Sequence, residues 1–574
     1  MFSRPLTLEH ALYLLALVLA LGLRLLHLGV LPLSDVEAEW ALQSLAIARG
    51  EHPAVGPNPA YVHLTALLFA LFGASNFWAR FWPALSGALL VLAPWFVRYR
   101  IGRLPALVLA FGLALDPALN ALARQAGGPM LAVTFLLFAL VFWLDGRRSL
   151  AGAAFGLALL SGSAVWFGLT VAALARGLEF LLLRTVGKTG EGAESEAEEA
   201  GVELDATRLS ERWRPLIWGA VSFLTLGTLF LLSPSGLAGF ADSFLVYLRG
   251  LWTLSDVPLG RILLALPAYE FLPLVIGAFA LLRAVFHRAS LSLRLGVWAL
   301  AGLLWTVVYA GHQTADLVWF VFPVWALASL EIGRYFDFGG RNLWLVAAAW
   351  GLVFVLGVIF WLAQARLTTV DFANPAFRWQ WVILILVPLI GATAVILLGY
   401  GWLMEEAFLG GMWGLLTILV LYTIGVTTGA AQIREPRTFE LWYPEPRVGR
   451  LEVLLKVANE LSVMNRGARA ALPVTIVGVD SPALRWLFRD WSLKQTDVLD
   501  PMAMPELLIT PAGSELALPT AYRGALFVWR EMGNWYQLSL QLWFKWFVYR
   551  QLPVQQQDVV LWVRADLMLD SPTP

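Results

Sequence analysis

Three carboxylates fall within five residues of the stretch PLSDVEAEW (32–40): Asp35, Glu37 and Glu39. A carboxylate held at a lipid–water boundary can take a proton from a hydroxyl or bind a divalent metal. The two chemistries need different neighbours: a base needs a free lone pair facing its substrate, and a metal needs further oxygen or imidazole ligands. On a helix Asp35 and Glu39 share one side, a turn apart, while Glu37 points elsewhere, so at most two of the three converge on one ligand. A structural role is also open. Ser34 followed three residues later by Glu37 is a capping box, and acids in a first turn complement the helix dipole.

Arginine supplies the complementary chemistry, because its planar fork grips a phosphate with two hydrogen bonds. Arg80, Arg124, Arg249, Arg261, Arg366 and Arg378 all fall on the side of the chain where the acids emerge. The alternative for each is anchoring at lipid headgroups. Glu270, in PAYEFLPL, sits near the same end of its apolar run, where ionisable groups are costly and often functional. His63 and His312 lack an HxxxH or comparable spacing, so a divalent metal is open to the carboxylates but has no histidine framework. The absence of cysteine excludes disulfides, thiolate nucleophiles and cysteine metal sites.

The elements that must position these groups are membrane helices. With 59% hydrophobic and only 14% charged residues over 574 positions, the chain has the composition of a polytopic membrane protein. Its 40 acids balance its 40 bases, so no overall field points to nucleic acid. Apolar runs predict about thirteen spans, at 8–31, 79–97, 104–122, 129–144, 150–162, 164–183, 216–233, 262–283, 295–310, 317–331, 342–362, 379–400 and 411–430. The first run reads as a retained signal anchor. Residues 61–73 are too short to cross about 30 Å of hydrocarbon and are expected at the interface. The stretch 150–183 is too long for one span and is split at SGS (161–163).

With the N-terminus inside, the basic turns at 98–103, 145–148, after Arg184, 283–294 and 334–341 all become cytoplasmic, which is the positive-inside pattern. The chain is therefore expected in the plasma membrane. Residues 1–431 form its transmembrane domain, with a first outer loop at 32–78 and an acidic inner loop at 184–215. From 432 to 574 the composition becomes that of a soluble domain, expected outside. Helical spacing at 448–466 and 481–491, with strand-like runs at 474–479, 506–510, 525–529 and 559–565, predicts a small α/β domain. The aromatic run WFKWFVY (543–549) reads as part of an interfacial belt, with a membrane-resting helix or a sugar-stacking surface as alternatives.

The order of these features resembles a known family. A first span, a carboxylate motif, a short apolar segment ending in FG and the run FGASNFWARFWPALSGALLVLAPWFVRYRIGR (72–103) are similar to the GT-C fold of polyprenyl-phosphate-sugar-dependent glycosyltransferases. More specifically they resemble the branch of protein mannosyltransferases and lipid A aminoarabinose transferases, and are closest to the flippase-activity-associated membrane proteins. ALDPALNALARQ (114–125) resembles that branch's "SP…SR" segment, with Arg124 in place of its arginine. YAGHQTADLVWFVFPVWALASLEIGRYFD (309–337) and VTIVGVDSPALRWLFRDW (474–491) resemble the flippase-activity-associated membrane proteins.

The resemblance implies an inverting displacement at the outer face, with a polyprenyl-phosphate-linked sugar as donor and a protein or glycan as acceptor. Asp35 or Glu37 would act as catalytic base; Glu39, Arg80, Arg124, His312 and Gln313 would bind substrate. The chain also departs from the family pattern. Val36 separates Asp35 from Glu37 where relatives have adjacent Asp-Glu. His312-Gln313 replaces a Glu-Lys pair, and QAGGPM follows Arg124 without the usual Arg and Asp. A catalytically degenerate scaffold or assembly subunit of the same fold is the alternative reading.

Overall fold

The computed structural model describes residues 7–186, 206–368, 374–434, 438–500, 502–514, 518–535 and 538–568. Most of the expected acidic loop, 187–205, lies outside the described residues. Among them, eight helices are long and apolar enough to cross a membrane, or ten if each of two bent pairs is one span. The other expected spans at 129–144 and 150–162 form helices, Met130–Leu144 and Arg148–Leu159, that are shorter. The run at 216–233 falls in the helix Ala206–Gly227, whose first half is charged in sequence. The expected break at SGS is present: one helix ends at Leu159, the next starts at Ala164, and Gly162 turns the chain at φ +95, a conformation that favours glycine.

Four N-terminal helices frame the acidic stretch: α1 (Leu8–Leu25), α2 (Asp35–Ala48), α3 (Pro59–Phe72) and α4 (Asn76–Leu89). The expected capping box sets the start of α2. Ser34 Oγ accepts from Glu37 N, and Glu37 Oε2 accepts from Ser34 N at 2.9 Å. With 14 residues, α3 is about 21 Å long, short of a crossing. It is held instead by side chains: Tyr61 donates to the Ala79 carbonyl at 2.7 Å, and His63 Nδ1 lies 2.7 Å from the Leu226 carbonyl.

Two spans are bent at a carboxylate. Arg103–Leu115 turns 53° into Pro117–Ala123 at Asp116, and Leu259–Tyr269 turns 84° into Phe271–His287 at Glu270. Pro117 cannot donate into the first helix, and carbonyls freed at that break would be costly in lipid. Arg24 therefore donates to the carbonyls of Leu113 and Ala114, Asn120 to those of Ala114 and Asp116, and Thr427 to that of Leu115.

The C-terminal part carries a six-stranded mixed sheet of order β1-β5-β6-β4-β2-β3. Its strands are β1 (Arg447–Val448), β2 (Val474–Val477), β3 (Leu493–Thr496), β4 (Leu507–Pro511), β5 (Tyr522–Gly533) and β6 (Val554–Arg564). β2 runs parallel to β3 and β4, while β6 pairs antiparallel with β4 and β5. The helix Leu451–Arg466 buries Leu451, Leu454, Ala458 and Ser462, an amphipathic stripe.

The expected helix at 481–491 is shorter, Pro482–Leu487, and lies against α2. Trp486 donates to Asn76 Oδ1 at 2.8 Å, and Arg489 donates to the Ala74 carbonyl at 3.1 Å. The aromatic run forms the helix Leu540–Tyr549, with Trp546 fully buried and Phe544 and Phe547 packed on Trp381 and Tyr422 of two membrane helices. Its rings bind the sheet domain to the bundle.

Candidate functional site

Two cavities flank α2, and the expected site residues divide between them. The smaller, about 70 Å³, is lined by Ser34, Glu37, Arg80, Arg124, Tyr443 and Arg447 among others. The structure thus brings Glu37, Arg80 and Arg124 together. It also commits two of them. Arg80 Nε donates to Glu37 Oε1 at 2.7 Å and Nη2 to Oε2 at 2.8 Å, while the remaining donors reach the carbonyls of Leu28, Leu31 and Pro32. All five guanidinium N–H groups are therefore used. The two Glu37 oxygens take both Arg80 bonds and the backbone N–H groups of Ser34 and Ala126. Burial would raise the Glu37 pKa, but the Arg80 charge and these four hydrogen bonds outweigh it and hold the carboxyl below its ordinary value.

Asp35 is equally engaged. Its Oδ1 accepts from Ser481 Oγ at 2.5 Å and from Ala483 N at 3.1 Å, and its Oδ2 takes both ends of the Arg530 guanidinium at 2.8 and 2.5 Å. Asp35 pins the sheet domain to the start of α2. Each of these two carboxylates, expected as a general base, thus accepts four protein hydrogen bonds in this conformation. Arg124 differs from Arg80. Its Nη1 donates to the carbonyls of Leu23, Arg24 and Leu26, capping the end of α1, and Tyr443 lies beside it. Glu39 is exposed on the far side of α2.

The larger polar cavity, about 430 Å³, has the size of a small-molecule site. Trp40, Asn58, Tyr247, Ser255, Asp256, Tyr309, Gln313 and Asp316 contribute its polar and aromatic lining, and among the described residues no Lys, Arg or His lines it. The Tyr247 and Tyr309 rings stack at 5.4 Å, with the Tyr309 hydroxyl on the Tyr247 carbonyl. Asp316 Oδ2 accepts from the Gln313 backbone at 2.8 Å, and no hydrogen bond from a described residue occupies Oδ1. His312 is turned away, with its ring nitrogens 2.9 and 3.0 Å from the carbonyls of Tyr309 and Val257.

The turn Ala126–Gly128 divides the two cavities. Ala126 N donates to Glu37, Asn58 donates to the Gly127 carbonyl at 3.0 Å, and Trp40 packs on Gly127. A Cβ at Gly127 would lie 2.3 Å from Trp40 Cδ1. Below the polar cavity lies an apolar one of about 580 Å³, lined by Leu136, Trp143, Phe155, Leu169, Trp298, Trp319 and Phe322. The two follow each other along shared helices: Ala164 and Phe167 border the upper, Gly168 and Leu169 the lower; Asp316 the upper, Trp319 and Phe322 the lower.

Among the described residues no group of three or more His, Asp or Glu side chains is placed to hold a metal. Asp35 and Glu37 are saturated and His312 faces carbonyls, so these three do not fit a divalent ion. Asn58, Tyr247, Tyr309 and Asp316 were not singled out from sequence. Their one sequence signal is the set of small-residue turns, GGP (127–129) and SGS (161–163), at the ends of neighbouring spans.

The bundle, the bent spans and the appended sheet domain define a multi-pass membrane protein of GT-C fold. No protein-family model and no curated protein sequence matches the chain. Among solved structures, it is similar to ArnT from Cupriavidus metallidurans bound to undecaprenyl phosphate. The two share 16% identity at a TM-score of 0.50, over 96% of this chain and 97% of that one. The apo form of the same protein aligns at 16% identity and a TM-score of 0.51, over 98% of each chain.

Proposed function

We propose that the chain is a membrane glycosyltransferase that moves a sugar from a polyprenyl-phosphate carrier to an acceptor at the outer membrane face. The observation that carries this reading is the polar, aromatic cavity stacked on an apolar one. Aromatic faces suit the C–H surfaces of a sugar, and carboxylate, amide and hydroxyl groups suit its hydroxyls. The apolar cavity below suits an isoprenoid chain. The fold is that of a protein whose structure contains undecaprenyl phosphate. In the reaction, Asp316 Oδ1 takes the proton of the acceptor hydroxyl as its oxygen bonds to the anomeric carbon. The bond from that carbon to the phosphate oxygen breaks, and the carrier leaves as the phosphate anion. In this reading the sheet domain, 432–574, lies outside and covers the acceptor side.

The test is transfer from a panel of polyprenyl-phosphate sugars by purified protein in lipid nanodiscs. Asp316→Asn is expected to lower turnover by about 100-fold or more, with folding unchanged. A second reading, a non-catalytic subunit that binds the lipid-linked sugar, is favoured by the saturation of Asp35, Glu37 and Arg80 and the lack of cations around the polar cavity. Donor binding without turnover by the wild type would select it.

A further inference from the structure

Two carboxyl groups occupy the two helix breaks, and neither lines the cavities described above. Asp116 and Glu270 are 0% and 1% exposed. Asp116 accepts from Leu119 N and from Trp325 Nε1, each at 2.6 Å. The two breaks meet on the helix Met404–Ala430, where Thr427 donates to the Leu115 carbonyl and, five residues earlier, Tyr422 donates to the Ala268 carbonyl, and the Glu270 carboxyl faces that of Asp116 there. Trp325 and the Ala118 backbone are also near Glu270. Neither reaches it with hydrogen-bond geometry, however, and both Glu270 oxygens are buried without a donor among the described residues.

The charges around the pair do not balance. From α1, Arg24 faces Asp116; from the helix Thr314–Phe336, Trp325 does; from the helix Met404–Ala430, Tyr422 faces Glu270. Arg550, which reaches the neighbouring Ala268 carbonyl, is already matched by Glu440 at 3.7 Å. One arginine against two carboxylates leaves an uncompensated negative charge buried inside the protein, where such a charge is expensive. Two ionised carboxylates also do not approach to hydrogen-bonding distance without a proton between them.

We propose that Asp116 and Glu270 share a single proton, Glu270 donating and Asp116 accepting, and that this proton bridge ties the two helix breaks together. The bridge joins both halves of the protein. Asp116 starts the helix Pro117–Ala123, whose end delivers Arg124 to the end of α1 and Ala126 to α2. Tyr269, next to Glu270, donates to Glu440 of the C-terminal segment at 2.5 Å.

The experiment is infrared spectroscopy of the full-length protein in nanodiscs at neutral pH, read at the carbonyl stretch of a protonated carboxylic acid. One such band is expected to vanish in Glu270→Gln. It is also expected to vanish in Asp116→Asn, because Glu270 alone then balances Arg24 and ionises. Retention of the band in Asp116→Asn would show a carboxyl protonated on its own account and overturn the shared proton. A wild-type spectrum that Glu270→Gln leaves unchanged would overturn the site altogether. The wild-type and Asp116→Asn spectra keep the test decisive even if Glu270→Gln fails to fold.

Discussion

Replacing Glu37 by Gln separates a structural acid from a catalytic one. A capping acid exposed at a helix start is worth about 1 kcal/mol. Glu37 is far more deeply committed: its side chain and that of Arg80 are each 8% exposed, and the pair is joined by two hydrogen bonds of 2.7 and 2.8 Å. Removing one charge leaves Arg80 buried without its counter-ion, which costs about 3–5 kcal/mol. Unfolding in mixed micelles titrated with SDS should show that loss for Glu37→Gln. The double variant with Arg80→Met should lose less than the two single variants added together, by about 1–3 kcal/mol.

The pH dependence follows from the same pair. The folded Glu37 carboxyl lies below its unfolded value of about 4.5, so its stabilisation is complete above that pH. It is lost as pH falls through the lower folded value. The wild type should therefore lose stability on acidification below that point, and Glu37→Gln should lose less. If Glu37→Gln unfolds within about 1 kcal/mol of wild type while sugar transfer is abolished, the structural assignment is wrong and Glu37 is the base.

Other positions give sharper local outcomes. Asp35→Asn breaks the paired contact with Arg530, so amide hydrogen exchange should rise over both 34–38 and 481–487; unchanged exchange would refute the pinning role. Gly127→Ala places a methyl against Trp40 at a φ of +70, so donor binding should weaken at least about tenfold if Trp40 is pushed into the polar cavity. Binding at wild-type strength would remove that wall from the site. The chain has no cysteine, and Ser514 is exposed, so Ser514→Cys in intact cells reports the side of the sheet domain. Labelling by an impermeant thiol reagent is expected, and protection would invert the proposed orientation.

Local signals were legible in the sequence. The Ser34–Glu37 box, the break at SGS and the apolar stripe of Leu451–Arg466 each lie within one turn or a few, and each formed as spacing dictates. The sequence also brought Glu37, Arg80 and Arg124 to one place. It could not show how they are used, because the carbonyls that consume Arg80 come from residues 28–32, and the Ala126 N–H on Glu37 comes from 89 residues away. The polar cavity was missed for a related reason: it is assembled from segments near 40, 58, 127, 162, 250 and 313, none of which carries a motif of its own. Among the described residues eight helices, or ten with the bent pairs, are long and apolar enough to cross, beside thirteen apolar runs in the sequence, because hydropathy marks runs while the breaks at Asp116 and Glu270 and the shorter helices Met130–Leu144 and Arg148–Leu159 divide them.

The claim that most needs testing is where the lipid-linked sugar sits. A structure of the protein with a bound polyprenyl-phosphate sugar should place the sugar between Trp40, Tyr309 and Asp316 and the isoprenoid chain against Trp298 and Trp319, with the Glu37–Arg80 pair intact. Density for the phosphate on Arg80, with that ion pair broken, would contradict the account and return the chemistry to the acids of α2.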